Sequence, residues 1–439
     1  MTPSDSRGTC DLVLTRDVPY GEAPIGHGSG TPGRRTLFLD VYAPLATGGA
    51  APEGGRLRPA LILSHGGAYH RGSKEEDLFE QDGRRNTPVA EYCRRFAAQG
   101  YVCFSVGYRL TQECPPPQAA PLRRHRGQLA RGRIDHVREL LGLPVASDAQ
   151  LLDGMEAAAA DVALACRFVH AHAERWAIDP ERIALGGFSA GAFSSAYAAY
   201  AMGAPAAAIV SLSGGMDPVD AAHYVHGARG QPPALLFSSE FDLPGIGACT
   251  DALAARAAEA GLGVRHYAVP GAPHFYDRET RAELRQATLA GAAAACSIEQ
   301  AIAGFLETAL AAPRVTLAML QAFADAWNRH DVEALMSFMS EDCVFHASAG
   351  PDASGTRYQG REAVRAGFMK AWAGMPDVQW TRSRHLVAGR RGLSEWTLLG
   401  TRASDGLRVE VDGCDLFTFQ GDKIRVKDSW RKQRVAPAP

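Results

Sequence analysis

The feature that most constrains the fold is an alternation of short apolar runs with helical patterns across residues 1–312. Apolar runs at 58–67, 101–110 and 233–240 alternate with amphipathic segments such as 155–177. A short run that is apolar throughout is typical of a strand buried on both faces. Strands that alternate with helices are typical of a parallel sheet wrapped by helices. The sequence therefore predicts an α/β domain with a mostly parallel sheet.

The pattern changes at Pro313. Two helical segments, one at 315–330 and one that begins at Asp331, precede a series of long strand-like segments. Helices followed by antiparallel-looking strands are typical of a separate α+β domain. We therefore predict two domains, residues 1–312 and residues 314–439.

Residues 112–150 interrupt the alternation of predicted strands and helices in the first domain. A segment of this length is either a solvated loop or a cap over the functional site. The arginines within it can hold an anionic substrate, although a cluster of charges more often forms a solvated face. Five of the arginines lie close together in the segment: Arg123, Arg124, Arg126, Arg131 and Arg133.

Composition narrows the classes of function. The 439 residues carry 46 basic and 48 acidic side chains, and the net charge of −2 gives no general attraction to nucleic acid or anionic membranes. The nine cysteines include no Cys-x-x-Cys pair, so we predict neither a disulfide framework nor a zinc site. The first residues lack a signal-peptide pattern, and no apolar stretch is long enough for a membrane helix. We expect a cytoplasmic protein with no metal, no cofactor and no nucleic-acid or membrane partner.

The strongest chemical motif is Gly-Phe-Ser-Ala-Gly at residues 187–191, between a strand pattern and a helix pattern. A serine on a sharp strand-to-helix turn needs small neighbours, because the backbone is crowded there. The turn exposes the Ser189 hydroxyl above the sheet and directs the Ala190 amide at the place where negative charge develops. The motif predicts Ser189 as a nucleophile.

A serine hydroxyl needs a base to remove its proton, and the base needs an acid that orients it. In chain order, the sequence offers Asp242 and then His274, each just beyond the end of a predicted strand. Open α/β sheets place their sites at these strand ends. Glu240 is the rival acid, but Asp242 lies deeper in the loop.

The turn Ser-His-Gly-Gly-Ala-Tyr at residues 64–69 directly follows a predicted strand. Its backbone amides can converge on a carbonyl oxygen, as an oxyanion hole requires. We assign Gly67 and Ala68 to this hole, with Ala190 as the third donor.

These motifs carry a family resemblance over about 300 residues. The stretches LILSHGGAYHRGS, LLFSSEFDLP and VPGAPHF, together with the serine motif, resemble the α/β-hydrolase carboxylesterases of the HGGG type, including the feruloyl-esterase-like branch. The resemblance implies that Ser189, Asp242 and His274 form a catalytic triad. Ala68 stands where the family has a third glycine. This difference predicts a narrower oxyanion hole and a preference for substrates with compact acyl groups.

Residues 314–439 resemble the SnoaL-like members of the nuclear-transport-factor-2-like (NTF2-like) superfamily through FADAWNRHDVEALMSFMSEDCVFH, YQGREAVRAGF and CDLFTFQGDKI. The resemblance implies a cone with an inner pocket, which serves some members as a cyclase or isomerase site and others for binding or dimerisation. Strand alternation predicts that Asp415 faces this pocket, and that Asp428 and Trp430 share a face that also lines it. Two such carboxylates could move a proton, although buried carboxylates more often have structural partners.

The sequence therefore predicts a serine hydrolase that cleaves small-molecule carboxylic esters through an acyl-enzyme. Its second domain would form a homodimer or bind substrate. One alternative is an amide or formamide hydrolase, and another is a bifunctional hydrolase with an isomerase or cyclase domain. A non-catalytic binding protein would need a missing triad member, and none is missing.

Overall fold

The computed structural model describes most of the chain. The described residues are 12–45, 57–81, 83–124, 129, 131–227, 231–311, 315–388 and 391–433. They form two compact units that divide between residues 311 and 312. The boundary predicted at Pro313 lies outside the described residues, as does Arg126. Across these ranges no helix combines the length and the apolar character needed to cross a bilayer.

The first unit is built from twelve strands and seven α-helices in its described part. The strands are β1 (Leu12–Ile25), β2 (Gly33–Pro44), β3 (Arg58–Ser64), β4 (Glu80–Gln81), β5 (Arg84–Arg85), β6 (Val102–Val106), β7 (Ile178–Phe188), β8 (Ala208–Leu212), β9 (Ala234–Phe241), β10 (Val264–Pro273), β11 (Arg281–Ala287) and β12 (Ala295–Ser297). The helices are α1 (Val89–Ala98), α2 (Arg131–Leu140), α3 (Asp148–Ala171), α4 (Ala190–Tyr200), α5 (Pro218–Tyr224), α6 (Ile246–Glu259) and α7 (Ile298–Ala309).

Ten of these strands form one sheet in the order β1-β2-β6-β3-β7-β8-β9-β10-β11-β12. The six strands from β6 to β10 in this order are parallel to their neighbours. Antiparallel strands extend the sheet at both ends, and β4 pairs with β5 in a separate two-stranded sheet. The predicted α/β domain with a mostly parallel sheet is therefore confirmed.

Helices cover both faces of the sheet, which is why its central strands are apolar throughout. Every residue of β6 and of β8 is buried. Alternate residues of β3 enter two different cores: Ile62 packs in the core that contains Val162 of α3, and Leu63 packs in the core that contains Phe96 of α1. This two-sided burial fixes the strand ends from which the functional loops emerge.

The second unit has helices α8 (Leu317–Asn328), α9 (Val332–Phe338) and α10 (Arg361–Gly374) and strands β13 (Met339–His346), β14 (Arg357–Gln359), β15 (Gln379–Ala388), β16 (Arg391–Thr401), β17 (Arg408–Gln420) and β18 (Lys423–Arg431). Its sheet order is β14-β13-β18-β17-β16-β15, in which only β13 and β18 pair in parallel among the described strands. Phe323 and Trp327 of α8 pack on Phe368 of α10, and Phe323 also contacts Phe417 of β17. The α+β prediction is confirmed.

Candidate active site

Ser189 lies on the turn between β7 and α4 with φ 53° and ψ −119°, a conformation that L-residues rarely adopt. Its glycine neighbours allow the turn to pack against β3. A Cβ on Gly187 would lie 2.5 Å from the carbonyl oxygen of Ser64, and a Cβ on Gly191 would lie 2.1 Å from the same atom. The amide of Ser189 donates to the carbonyl of Leu212 over 2.9 Å. The turn is therefore held by backbone contacts on both sides.

The structure brings the three residues of the predicted triad together. His274 Nε2 lies 2.9 Å from Ser189 Oγ, and His274 Nδ1 lies 2.6 Å from Asp242 Oδ1. All three follow the carboxyl ends of strands in the parallel part of the sheet, since Ser189 follows β7, Asp242 follows β9 and His274 follows β10. With Nδ1–H donated to the carboxylate, Nε2 is left to accept the serine proton.

Asp242 is held as an anion. Its Oδ2 accepts a hydrogen bond from Ser213 Oγ over 2.8 Å, and its Oδ1 accepts one from the Leu243 amide over 2.7 Å. Burial raises the pKa of the Asp242 carboxyl, but hydrogen bonds from His274 and Ser213 outweigh burial and bring the pKa below its usual range. The carboxylate is therefore charged at neutral pH and can stabilise a positive charge on the His274 ring.

The rival acid faces elsewhere. Glu240 is exposed, and its Oε2 accepts a hydrogen bond from the Gly271 amide over 2.8 Å. The structure therefore places Asp242, and not Glu240, beside His274.

The predicted oxyanion loop has an unusual backbone. Three successive residues have positive φ, with values of 115° at Gly67, 54° at Ala68 and 62° at Tyr69. A Cβ on Gly67 would lie 2.0 Å from the carbonyl oxygen of Arg71, so this position requires glycine. Ala190 is the first residue of α4, and its amide therefore has no acceptor within the helix. Gly67 and Ala68 line the same pocket as Ser189.

The pocket over Ser189 is narrow, with a cavity volume of about 20 Å³. Aromatic rings form its walls: Phe188 lies 5.1 Å and Phe275 lies 5.0 Å from the His274 ring, measured between ring centroids. Arg133 and Val137 of α2 also line it, so part of the segment 112–150 contributes to the wall. The other lining residues include Arg71, Phe79 and Leu243.

The second unit contains a larger cavity of about 270 Å³. Asp415 lines it as predicted, and its Oδ1 accepts hydrogen bonds of 2.6 Å from both Lys427 Nζ and Ser429 Oγ. Its Oδ2 accepts one of 3.1 Å from Trp396 Nε1. Lys427 Nζ also lies 5.2 Å from the ring centroid of Trp327. Asp415 therefore has the structural partners that buried carboxylates usually need.

The structure differs from the prediction for Asp428 and Trp430. Lys427 and Ser429 point into the cavity, so the alternating residues Asp428 and Trp430 lie on the opposite face of β18, where Trp430 is 55% exposed. The cause is a register shift in the β17–β18 pairing, which leaves Arg425 without an opposing residue. The extra residue reverses the alternation after Ile424.

Ser213 and Arg71 are site residues that the sequence analysis missed. Ser213 directly follows β8, the neighbour of β9, and has a positive φ of 48°. Its position after an apolar strand was the only available signal, because strand-end residues of a parallel sheet meet at one edge. For Arg71, nothing in the spacing indicates that its side chain turns into the pocket.

Two segments of the chain match family models. Residues 320–426 match the SnoaL-like domain, and residues 152–209 match BD-FAE, a feruloyl-esterase-like family of α/β-hydrolases. No curated protein matches the chain.

Several solved structures are similar to about a quarter of this chain. An NTF2-like protein of unknown function from Mesorhizobium loti is 27% identical, with 26% of this chain and 89% of that chain covered and a TM-score of 0.23. A protein with a ketosteroid isomerase-like fold from Catenulispora acidiphila is 20% identical, with coverages of 26% and 86% and a TM-score of 0.24. An uncharacterized cystatin-fold protein from Novosphingobium aromaticivorans is 24% identical, with coverages of 27% and 97% and a TM-score of 0.23. The first unit has an α/β-hydrolase fold and contains the BD-FAE match, and the second unit contains the SnoaL-like match.

Proposed function

We propose that the protein is a serine hydrolase that cleaves carboxylic esters of small molecules. One observation carries the proposal: Ser189 Oγ, on a strained turn, lies 2.9 Å from His274 Nε2, while Asp242 lies 2.6 Å from the other ring nitrogen. A hydroxyl, a base and an orienting acid at these distances form the arrangement that activates serine for acyl transfer. The match to BD-FAE supports an esterase-type activity.

The reaction follows from the geometry. His274 takes the proton of Ser189 as Oγ attacks the ester carbonyl carbon, and the resulting oxyanion accepts hydrogen bonds from the amides of Gly67, Ala68 and Ala190. The imidazolium then gives its proton to the leaving alcohol, the carbon–oxygen bond breaks, and an acyl-enzyme remains. A water molecule gives a proton to His274 as its oxygen attacks the acyl carbon. The imidazolium then returns that proton to Ser189 Oγ as the bond between Oγ and the acyl carbon breaks, which releases the carboxylic acid.

For the second domain we propose substrate binding. The supporting observation is a cavity with aromatic walls whose carboxylate, Asp415, already accepts hydrogen bonds from Lys427, Ser429 and Trp396. Three donors already occupy the oxygens of Asp415, which leaves little access for a substrate proton and argues against isomerisation or cyclisation. Homodimerisation also remains part of the proposal, and sedimentation equilibrium of the full chain tests it.

The decisive experiment compares Ser189→Ala with Ser29→Ala, a change at an exposed serine on the same unit. The full chain is treated with a fluorophosphonate probe and assayed on para-nitrophenyl butyrate. We expect Ser189→Ala to abolish labelling and to lower kcat by about 10⁴-fold or more. Ser29→Ala should behave like the unmodified chain. Labelling or turnover of Ser189→Ala at the unmodified level would refute the proposal, and matched ester and anilide substrates distinguish an esterase from an amidase.

A further inference from the structure

Two guanidinium groups, from Arg71 and Arg133, line the pocket over Ser189. Arg71 directly follows the oxyanion loop, and its amide donates to the Gly67 carbonyl over 3.2 Å. Arg133 lies on α2, within the segment that interrupts the sheet pattern. Neither side chain forms an ion pair with a carboxylate in the part of the chain that the structure describes.

The other arginines of α2 have ion-pair or hydrogen-bond partners. Arg131 pairs with Asp135 over 3.1 Å and also with Asp148. Arg138 Nε donates to the carbonyl of Pro144 over 2.8 Å. Arg133, which lines the catalytic pocket, is therefore the arginine of this helix whose guanidinium forms no hydrogen bond or ion pair among the described residues.

Aromatic rings hold both guanidinium groups in place. Arg71 Cζ lies 4.5 Å from the centroid of the Phe79 ring, and Arg133 Cζ lies 5.7 Å from that of Phe275. Arg71 Nε is buried and has no hydrogen-bond partner. Burial lowers the pKa of the Arg71 guanidinium below its ordinary value, and the positive charge of Arg133 lowers it further. Removing water from two neighbouring cations costs free energy when no hydrogen-bond acceptor replaces the water. A bound anion supplies such an acceptor and removes that cost.

We propose that Arg71 and Arg133 bind a carboxylate of the substrate, so that the ester cleaved at Ser189 is itself an anion. A planar guanidinium matches a carboxylate through paired N–H···O hydrogen bonds. The narrow cavity favours a compact anion close to the scissile bond. The inference rests on the proposed esterase function and adds the substrate class: either a monoester of a dicarboxylic acid or an ester whose alcohol carries a carboxylate.

The test compares pairs of substrates that differ in charge. For the acyl side, the para-nitrophenyl monoester of glutaric acid is compared with para-nitrophenyl valerate. For the alcohol side, para-acetoxybenzoate is compared with para-acetoxybenzamide. The quantity measured is the ratio of kcat/KM for the anionic ester to kcat/KM for its neutral partner. The variants are Arg71→Gln and Arg133→Gln, and the control is Arg167→Gln, at an exposed arginine of α3 that does not line the pocket.

We expect the unmodified chain to prefer the anionic ester of at least one pair. Each pocket variant should lower that ratio about 10–100-fold, as the loss of a hydrogen-bonded charge pair does, and Arg167→Gln should leave it unchanged. Equal ratios in all four proteins, or no preference for either anionic ester, would overturn the proposal. The esterase function fails separately, since in that case neither the neutral esters nor the fluorophosphonate probe would react at Ser189.

Discussion

The Ser213 hydroxyl donates to Asp242 Oδ2 over 2.8 Å, while His274 contacts Oδ1 of the same carboxylate. Ser213 does not line the pocket over Ser189, so we expect it to act by positioning the acid. We expect Ser213→Ala to lower kcat about tenfold, a loss typical of residues that orient a catalytic group. The Ser213 hydrogen bond helps to lower the pKa of Asp242, so this pKa should rise in the variant. As the pH is lowered, the variant should therefore lose activity at a higher pH than the unmodified chain does. A profile that keeps its shape would contradict the positioning role.

The choice of acid can be tested directly. Asp242→Asn removes the charge that orients His274 and should lower kcat by about 10³–10⁴-fold on a para-nitrophenyl ester. Glu240→Gln is the matched control, because Glu240 is exposed and accepts its hydrogen bond from Gly271. Its kcat should stay within about twofold of the unmodified value. The opposite order of effects would assign the role to Glu240.

Gly191 tests the packing of the serine turn. An added Cβ would lie 2.1 Å from the Ser64 carbonyl oxygen and 2.6 Å from that of His65, and these backbone atoms cannot move aside easily. We expect Gly191→Ala to destabilise the first unit by about 3 kcal/mol. The measurement is the urea concentration at which half of the fluorophosphonate labelling is lost, and we expect it to be lower in this variant than in the unmodified chain. Gly247→Ala is the control, because a Cβ on this α6 residue meets nothing within 4 Å. Similar midpoints for the two variants would refute the packing argument.

The stability of the first unit should depend on pH through His65. This buried side chain stacks on Tyr108 with 4.1 Å between ring centroids, and burial lowers its pKa to about 4. In the unfolded chain histidine has a pKa of about 6.5. Above that value the ring is neutral in both states. As the pH falls from 6.5 towards 4, the unfolded chain takes up the proton first and the folded state loses stability, by at most about 3 kcal/mol.

His65→Asn should reduce this loss of unfolding free energy between pH 7 and 4.5, measured by urea denaturation at each pH. The dependence should not vanish, because burial also lowers the pKa of His266 to about 4. An unchanged slope in His65→Asn would show that other groups account for the acid sensitivity.

The ion pair of the second unit should matter for its stability. Lys427 and Asp415 are both buried and 2.6 Å apart. Lys427→Met leaves the Asp415 charge without its cation, and we expect a loss of about 3–5 kcal/mol. The double variant Lys427→Met with Asp415→Leu removes both charges and should recover much of that loss. Thermal unfolding of the full chain measures both, and a double variant less stable than the single one would contradict the account.

Much of the candidate site of the first unit could be predicted because its residues lie at strand ends. Ser189, Asp242 and His274 each follow a strand, and parallel order brings such ends to one edge of the sheet. The strands β1 and β11 escaped prediction because neither is an apolar run: most of β1 is exposed, and exposed or half-buried residues dominate β11. Asp428 was misplaced because one unpaired residue, Arg425, reverses the alternation, and a period of two cannot reveal that shift.

The turn that holds Ser189 is fixed by backbone contacts within the sheet and α4, whereas Arg71 and Arg133 come from a loop and from the inserted segment. Of the two arginines, only Arg133 belongs to residues 112–150. We therefore expect that exchanging this segment changes which esters are accepted, while the contacts that hold Ser189 are kept.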